Sequence, residues 1–278
     1  MQDWLVLSIG NSRLHWGWFS DEILQRAWDT PHLDGATIQR LIVSQWNFQR
    51  CQLIPKDLAL PTWIEAPELW LLSVVPHQTQ FWKQYPKIHP IALSQIPIAG
   101  LYEGLGCDRA VALWGAIQTY GSPALVIDCG TALTFTGVDD RQRFAGGAIL
   151  PGLQLQLRSL GQATAALPNL DSKSLKLPPR WAKNTAHAIQ SGILYSAIAS
   201  IHQFVQDWLQ TFPNSHILMT GGDSGLLWQI MQTLEPATST LPDLLPVSKI
   251  QQDPHLAFWG VRSLRYPSHS KTVPSKIR

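Results

Sequence analysis

Two short polar turns in the sequence have the residue types that hold phosphate oxygens. Gly10-Asn11-Ser12 interrupts one apolar stretch, and Gly130-Thr131 interrupts another near the middle of the chain. Free backbone N–H groups and hydroxyls at such turns bind anionic oxygens, although glycine and asparagine are also typical of a simple hairpin turn. A third glycine loop, in MTGGDSG at 219–225, opens a helical pattern whose first N–H groups suit a nucleotide. Together the three loops favour ATP as a ligand.

An aspartate and an arginine stand side by side at the start of another helical pattern. In GLGCDRA, residues 104–110, Asp108 and Arg109 follow a glycine-rich loop. An aspartate before an apolar periodic run is commonly a helix N-cap, which would explain Asp108 but not its neighbours. A carboxylate at this place could instead accept a proton from a substrate hydroxyl, while the guanidinium positions an anionic group.

The cysteines and histidines give no pattern of a metal or nucleophilic centre. Cys51, Cys107 and Cys129 have neither the even number nor the spacing of a disulfide framework or a zinc site. The histidines show no paired ligand spacing such as His-x-x-x-His. A cysteine nucleophile needs a positioned base, which the sequence does not identify, so Cys107 and Cys129 are predicted to be packing residues.

Composition limits the class of protein. Hydrophobic residues make up 45% and charged residues 14% of the 278 residues, which is typical of a globular protein. A net charge of +2 gives no support for binding nucleic acid or an anionic membrane. No apolar segment reaches the roughly 18 residues that cross a bilayer, and the N-terminus lacks a secretory pattern. We therefore expect a cytoplasmic protein with neither nucleic acid nor membrane as a partner.

The two turns lie in copies of one pattern. LVLSIGNSRLHWGWF, residues 5–19, is echoed by ALVIDCGTALTFTGVDD, residues 124–140, with Ser8 opposite Asp128 and Gly10 opposite Gly130. Each copy predicts a strand, a tight turn and a second strand. The duplication predicts an α/β protein of two halves with mixed sheets and a cleft between them, where small-molecule sites concentrate.

Further elements complete these halves. The sequence predicts a strand over 68–76, a helix over 109–120 and a long amphipathic helix over 184–210. We place an N-terminal domain at 1–120, a C-terminal domain at 121–266 and a flexible basic tail at 267–278.

The motifs SIGNSR, GCDR, DCGTALT, GGAILPG and NTAHAIQSG, in this order, resemble those of type III pantothenate kinase. The resemblance extends over most of the chain. It implies the actin-like kinase superfamily, with duplicated ribonuclease-H-like domains and an interdomain cleft. It also implies transfer of the ATP γ-phosphoryl group to pantothenate, Mg²⁺ with the ATP, a monovalent cation (K⁺ or NH₄⁺) and a homodimer.

The resemblance implies roles for individual residues. Asp108 matches the general base, and Asp128 matches the ligand of the monovalent cation. For Thr185, in the NT motif, substrate contact competes with helix capping as the explanation. The residues matched to ATP binding are Ser8, Ile9, Gly10, Asn11, Ser12, Arg13, Leu14, His15 and Thr131; those matched to substrate binding are Tyr102, Gly106, Cys107, Arg109 and Thr185.

Ser8 departs from the family pattern, which usually has an aspartate there. Either Ser8 acts through water or a weaker contact and Asp128 supplies more of the electrostatic stabilisation, or the activity of the protein is lower. The alternative function is therefore a catalytically impaired, nucleotide-binding regulator on the same scaffold. A ribonuclease-H-type nuclease would need clustered carboxylates, and a sugar kinase fits the motifs less well.

Overall fold

The computed structural model describes residues 2–55, 58–164, 167–172, 175–238 and 247–267. The chain divides into two compact units, the first formed by Met1–Thr119 and a segment that begins at Ala257, the second by Tyr120–Leu256. Each unit contains one five-stranded mixed sheet with helices. The predicted α/β class with paired mixed sheets is confirmed.

The sheet of the first unit has the strand order β3-β2-β1-β4-β5. Strands β1, β2 and β3 are antiparallel neighbours, whereas β4 and β5 run parallel to β1. The elements are β1 (Asp3–Ile9), β2 (Leu14–Ser20), β3 (Ile23–Thr30), α1 (Gly35–Val43), β4 (Glu68–Ser73), α2 (Pro76–Trp82), β5 (Ile88–Pro90) and α3 (Cys107–Tyr120).

An aromatic core supports this sheet on one face. Trp16 on β2 stacks against Trp28 on β3, with ring centroids 6.1 Å apart, and makes edge contacts with Phe48 and Trp82. The Trp16 indole also donates to Thr30 Oγ1 at 3.0 Å, so its polar atom is satisfied inside the core. Burial of these large rings fixes the strands that lead into and out of the first turn.

The sheet of the second unit has the order β10-β9-β6-β7-β8. Read from the opposite edge, this order repeats that of the first sheet: an antiparallel pair β6 and β7 extended by β8, with β9 and β10 parallel to β6. The elements are β6 (Ala124–Cys129), β7 (Ala132–Val138), β8 (Phe144–Pro151), α4 (Leu153–Ala163), α5 (Thr185–Thr211), β9 (His216–Thr220), α6 (Ser224–Thr238), β10 (Ile250–Gln252) and, beyond this unit, α7 (Leu256–Arg265).

Helix α7 lies with the first unit, which differs from the predicted domain boundary at residue 266. Phe258 packs against Gly17 of β2, and Gly260 lies against Val111 of α3. Arg265 pairs with Glu68, and its guanidinium lies 4.9 Å from the ring centroid of Trp4. An apolar helix face packs on whichever sheet leaves apolar surface open, and the sequence does not specify which one. The predicted tail beyond residue 267 lies outside the described residues.

Other predicted elements agree closely with the structure. The long helix begins one residue after Asn184, whose side chain accepts a hydrogen bond from His187 N. The strand predicted over 68–76 ends earlier, because Pro76 opens α2. Within the described ranges, no helix has the length and apolar character needed to cross a membrane.

Candidate active site

The first turn joins β1 to β2 and is closed by its own backbone. Gly10 N donates to Arg13 O at 3.0 Å. The His32 ring nitrogen Nε2 lies 2.8 Å from the carbonyl oxygen of Gly10, so a side chain from the segment after β3 fixes this peptide. Asn11, Ser12 and Arg13 are exposed, and their polar groups are accessible to a ligand.

A row of three polar residues crosses the sheet just inside this turn. Ser8 on β1 is the register partner of His15 on β2, and His15 is the partner of Asp29 on β3. His15 Nδ1 lies 2.7 Å from Asp29 Oδ1, and Arg13 Nη1 lies 3.5 Å from Asp29 Oδ2. Burial alone would raise the pKa of the Asp29 carboxyl, but the His15 hydrogen bond and the charges of His15 and Arg13 lower it overall.

Asp29 is not predictable from the turn motif, because strand register decides which residue lies opposite His15. Counting back from the hairpin pair Ser20 and Ile23 would place Trp28 opposite His15. An irregularity between Trp18 and Phe19 shifts the register by one residue, which brings Asp29 opposite His15 instead. The turn residues alone carry no signal for this shift.

Asp108 lies inside the first turn of α3, because the helix begins at Cys107. Asp108 Oδ1 accepts a hydrogen bond from Arg109 N at 2.8 Å, while the carbonyl of Gly106 accepts from Ala110 N. Burial raises the pKa of the Asp108 carboxyl, and the contacts with Arg109 offset only part of that effect. A half-buried carboxylate of raised basicity is a suitable proton acceptor.

The neighbours of Asp108 differ in exposure. Arg109 is largely buried, with 9% of its surface exposed, whereas Tyr102 in the preceding loop is 49% exposed. Burial and the adjacent Asp108 charge raise the pKa of the Cys107 thiol to about 11. At neutral pH this thiol stays protonated, which agrees with the prediction that it is not a nucleophile.

Sheet geometry brings the first turn and the start of α3 to one edge. Strands β1, β4 and β5 are parallel, so their carboxyl ends meet at the same edge of the sheet. Gly10 follows β1, and Ile91, which follows β5, accepts a hydrogen bond from Cys107 Sγ at 3.6 Å. Two strand spacings separate these points, roughly 10 Å.

The second turn, after β6, is held by two other loops of its unit. Gly152 N donates to Thr131 O at 3.0 Å, and Asp223 N donates to Cys129 O at 2.9 Å. Gly221 has φ +93° and lies so close that a Cβ there would be 2.6 Å from the Cys129 carbonyl carbon and would overlap the Asp128 carboxylate. The loops that contain Gly152 and Gly221 therefore pack closely on this turn.

The surroundings of this turn are compact and mostly apolar. Cys129, Gly130, Gly152 and Asp223 line a small pocket beside it. Burial, with the charges of Asp128 and Asp223, raises the pKa of the Cys129 thiol well above its ordinary value. Thr185 lies elsewhere in this unit, exposed at the first position of α5. In the part of the chain that the structure describes, no group of three or more His, Cys, Asp or Glu side chains could hold a metal ion.

The fold is also found in solved structures. A Baf family protein from Campylobacter jejuni superimposes with a TM-score of 0.58 and 18% identity, covering 95% of this chain and 100% of the other. A ROK family glucokinase from Streptomyces griseus, in complex with glucose and AMPPNP, gives a TM-score of 0.51 at 11% identity over 94% of this chain and 98% of the other. At these identities the likeness shows the fold alone.

Sequence relatives identify the family. The sequence profile described as type III pantothenate kinase matches residues 4–207. A type III pantothenate kinase from Nostoc sp. is 43% identical over 273 residues, which cover 94% of both chains. The order of the motifs, the repeated sheet and these matches agree, and the chain belongs to the type III pantothenate kinase family.

Proposed function

We propose that the chain transfers the γ-phosphoryl group of ATP to the primary hydroxyl of pantothenate. The product is 4'-phosphopantothenate, and the reaction is the first step of coenzyme A biosynthesis. The observation that carries the proposal is family membership over nearly the whole chain, with relatives that share this name. The retained Asp108 and the two phosphate-type turns supply the chemistry that such a transfer needs.

Asp108 is the general base in this proposal. Phosphoryl transfer has a loose transition state, so positioning and charge stabilisation matter more than prior deprotonation of the alcohol. The Asp108 carboxylate accepts the hydroxyl proton as the new O–P bond forms. Its raised pKa makes it a stronger proton acceptor than an exposed aspartate. The start of α3 lies beside the end of β5, at the sheet edge that also carries the first turn, which suits the reaction.

The two turns bind the nucleotide. Ser8 to His15 line the phosphates at the first turn, and Thr131 contacts ATP at the second. Mg²⁺ bound with ATP neutralises negative charge that develops on the phosphates. Asp128 and Thr131 offer oxygen donors, the ligand type that hard cations take, and Asp128 is the proposed ligand of the monovalent cation.

Further parts of the chain hold pantothenate and form the homodimer. Arg109, already held in a largely buried position, and the exposed Tyr102 contact pantothenate together with Gly106, Cys107 and Thr185. The proposed enzyme is a cytoplasmic homodimer that binds neither nucleic acid nor membranes. The low charged fraction of 14% is compatible with an interface between subunits.

The decisive test is ADP release by the purified protein with ATP, Mg²⁺ and K⁺, with and without pantothenate. We expect turnover that depends on pantothenate and falls by on the order of 10²- to 10⁴-fold in Asp108→Asn. Asp140→Asn makes the same chemical change at an exposed position in the turn after β7 and should leave turnover unchanged. A folded protein without pantothenate-dependent turnover in K⁺ or NH₄⁺ would refute the proposal.

A further inference from the structure

The first turn has a carboxylate, but on a different strand from the one that the family pattern implies. Ser8, His15 and Asp29 are register partners across β1, β2 and β3, and directly opposed side chains in antiparallel strands lie on the same face of a sheet. The hydroxyl, the imidazole and the carboxylate are therefore in one row. The negative charge that Ser8 lacks is present at the far end of that row.

Both oxygens of Asp29 are already engaged by neighbouring side chains. One oxygen lies 2.7 Å from His15 Nδ1 and the other 3.5 Å from Arg13 Nη1. These contacts lower the pKa of the carboxyl against the opposing effect of burial, so the group is ionised at neutral pH. Through these two contacts the Asp29 carboxylate is placed to orient both His15 and Arg13.

The side chains that Asp29 holds are directed at the turn. His15 uses Nδ1 for Asp29, and its other ring nitrogen, Nε2, lies 3.8 Å from the point that a Cβ on Gly10 would occupy. As an imidazolium, His15 donates from both nitrogens at once. Arg13 belongs to the turn itself, and its side chain is 49% exposed, with further guanidinium donors beyond the one that faces Asp29.

We propose that Asp29 is a positioning residue of the nucleotide site. It fixes His15 and Arg13 so that both donate directly to phosphate oxygens of the nucleotide at the turn where Ser8 supplies no carboxylate. Charge-assisted contacts to phosphate are strong, and holding flexible cationic side chains beforehand lowers the entropy that binding costs. The inference rests on the proposed function, because it takes the first turn as a phosphate site.

The test measures binding of ATP with Mg²⁺ by titration calorimetry, without pantothenate. We expect Asp29→Asn to weaken nucleotide binding about tenfold, the scale of one charge-assisted interaction. Asp140→Asn, which removes an exposed carboxylate in the other unit, should bind as the wild type does. In turnover assays Asp29→Asn should raise KM for ATP and leave KM for pantothenate unchanged, a split that general loss of structure would not produce.

Adding Asp29→Asn to a variant that lacks both partner side chains separates positioning from direct contact. If Asp29 acts through its two partners, adding Asp29→Asn to the His15→Ala, Arg13→Ala background should weaken binding little further. A full tenfold additional loss there would mean that Asp29 itself faces the metal-bound phosphates, and would overturn the proposal. Unchanged ATP binding by Asp29→Asn would overturn it as well.

These outcomes are distinguishable from failure of the proposed function. Nucleotide binding that weakens as expected, without pantothenate-dependent turnover in the wild type, would support the positioning role and refute the kinase assignment. Turnover on pantothenate with ATP binding unaffected by Asp29→Asn would do the reverse. A wild-type chain that binds no nucleotide would refute both.

Discussion

The two glycine turns have the same backbone setting but are held by different means. Each follows the central strand of a five-stranded sheet with the same pattern of neighbours. Both turns are closed by their own backbone, but side chains support the first from outside: His32 contacts the Gly10 carbonyl, and Asp29 contacts Arg13 and His15. Backbone atoms of neighbouring loops hold the second turn, which is closely packed by Gly152 and Gly221.

The two turns also differ in where their carboxylates lie. The second turn has its carboxylate, Asp128, at the end of the central strand, whereas the matching residue of the first is Ser8 and the carboxylate lies two strands away at Asp29. The two sheets therefore share a strand order but place their charged groups on different strands.

The largest expected difference between the turns is in stability. Gly221→Ala introduces a Cβ at φ +93° that overlaps the Asp128 carboxylate and the Cys129 main chain, and should lower the free energy of unfolding by about 3 kcal/mol. Gly10→Ala meets nothing closer than 3.6 Å and should cost less than about 1 kcal/mol. Chemical denaturation of both variants measures the contrast.

A neighbouring glycine is the matched control for that contrast. A Cβ on Gly222 would meet no atom within 4 Å, so Gly222→Ala should stay within about 0.5 kcal/mol of the wild type. Equal losses in Gly221→Ala and Gly222→Ala would show that the close packing around the second turn is not what stabilises it.

The two carboxylates should differ in their effect on cation dependence. Asp128→Asn removes the proposed ligand of the monovalent cation and should weaken the apparent affinity for K⁺ by roughly 10- to 100-fold, the scale seen when support of a metal site is lost. Asp29→Asn should leave the K⁺ dependence unchanged, because the proposed cation ligand is Asp128, and Asp29 contacts Arg13 and His15 at the other turn. Turnover measured over a K⁺ series at saturating ATP separates the two.

The K⁺ series also has an outcome that would contradict this division of roles. If Asp29→Asn shifts the K⁺ dependence as strongly as Asp128→Asn does, the first turn takes part in cation binding, and the charges of the two turns are not independent.

Much of this contrast was present in the sequence, and the rest depended on register and packing. Alternating apolar residues predicted both strand–turn–strand copies, and Asn184 predicted the start of α5, because these signals are local. Asp29 could not be predicted as a partner of His15, since a one-residue irregularity in β2 and β3 decides which side chain lies opposite. The packing of α7 against the first sheet could not be predicted either, because an amphipathic pattern does not show which surface the helix packs against.

The smallest expected effects concern pH and have opposite signs at Asp29 and Asp108. The folded-state pKa of Asp29 is lowered, so its ionised form adds stability above the unfolded value of about 3.9, and that stability is lost as pH falls through the folded pKa. Asp29 is about half exposed, so Asp29→Asn should cost less than about 1 kcal/mol at pH 7. This cost should vanish in acid.

Asp108 should behave in the opposite way. Its folded-state pKa is raised, so the ionised form costs stability above that pKa, and the cost disappears as pH falls below about 3.9. Asp108→Asn should therefore raise Tm at pH 7 and lose this advantage in acid, even though it abolishes most turnover. Thermal unfolding of both variants from pH 3 to pH 7 tests the signs. If Asp108→Asn lowers Tm at pH 7, Asp108 holds α3 in place as a structural residue, and its burial is not a stability cost accepted for catalysis.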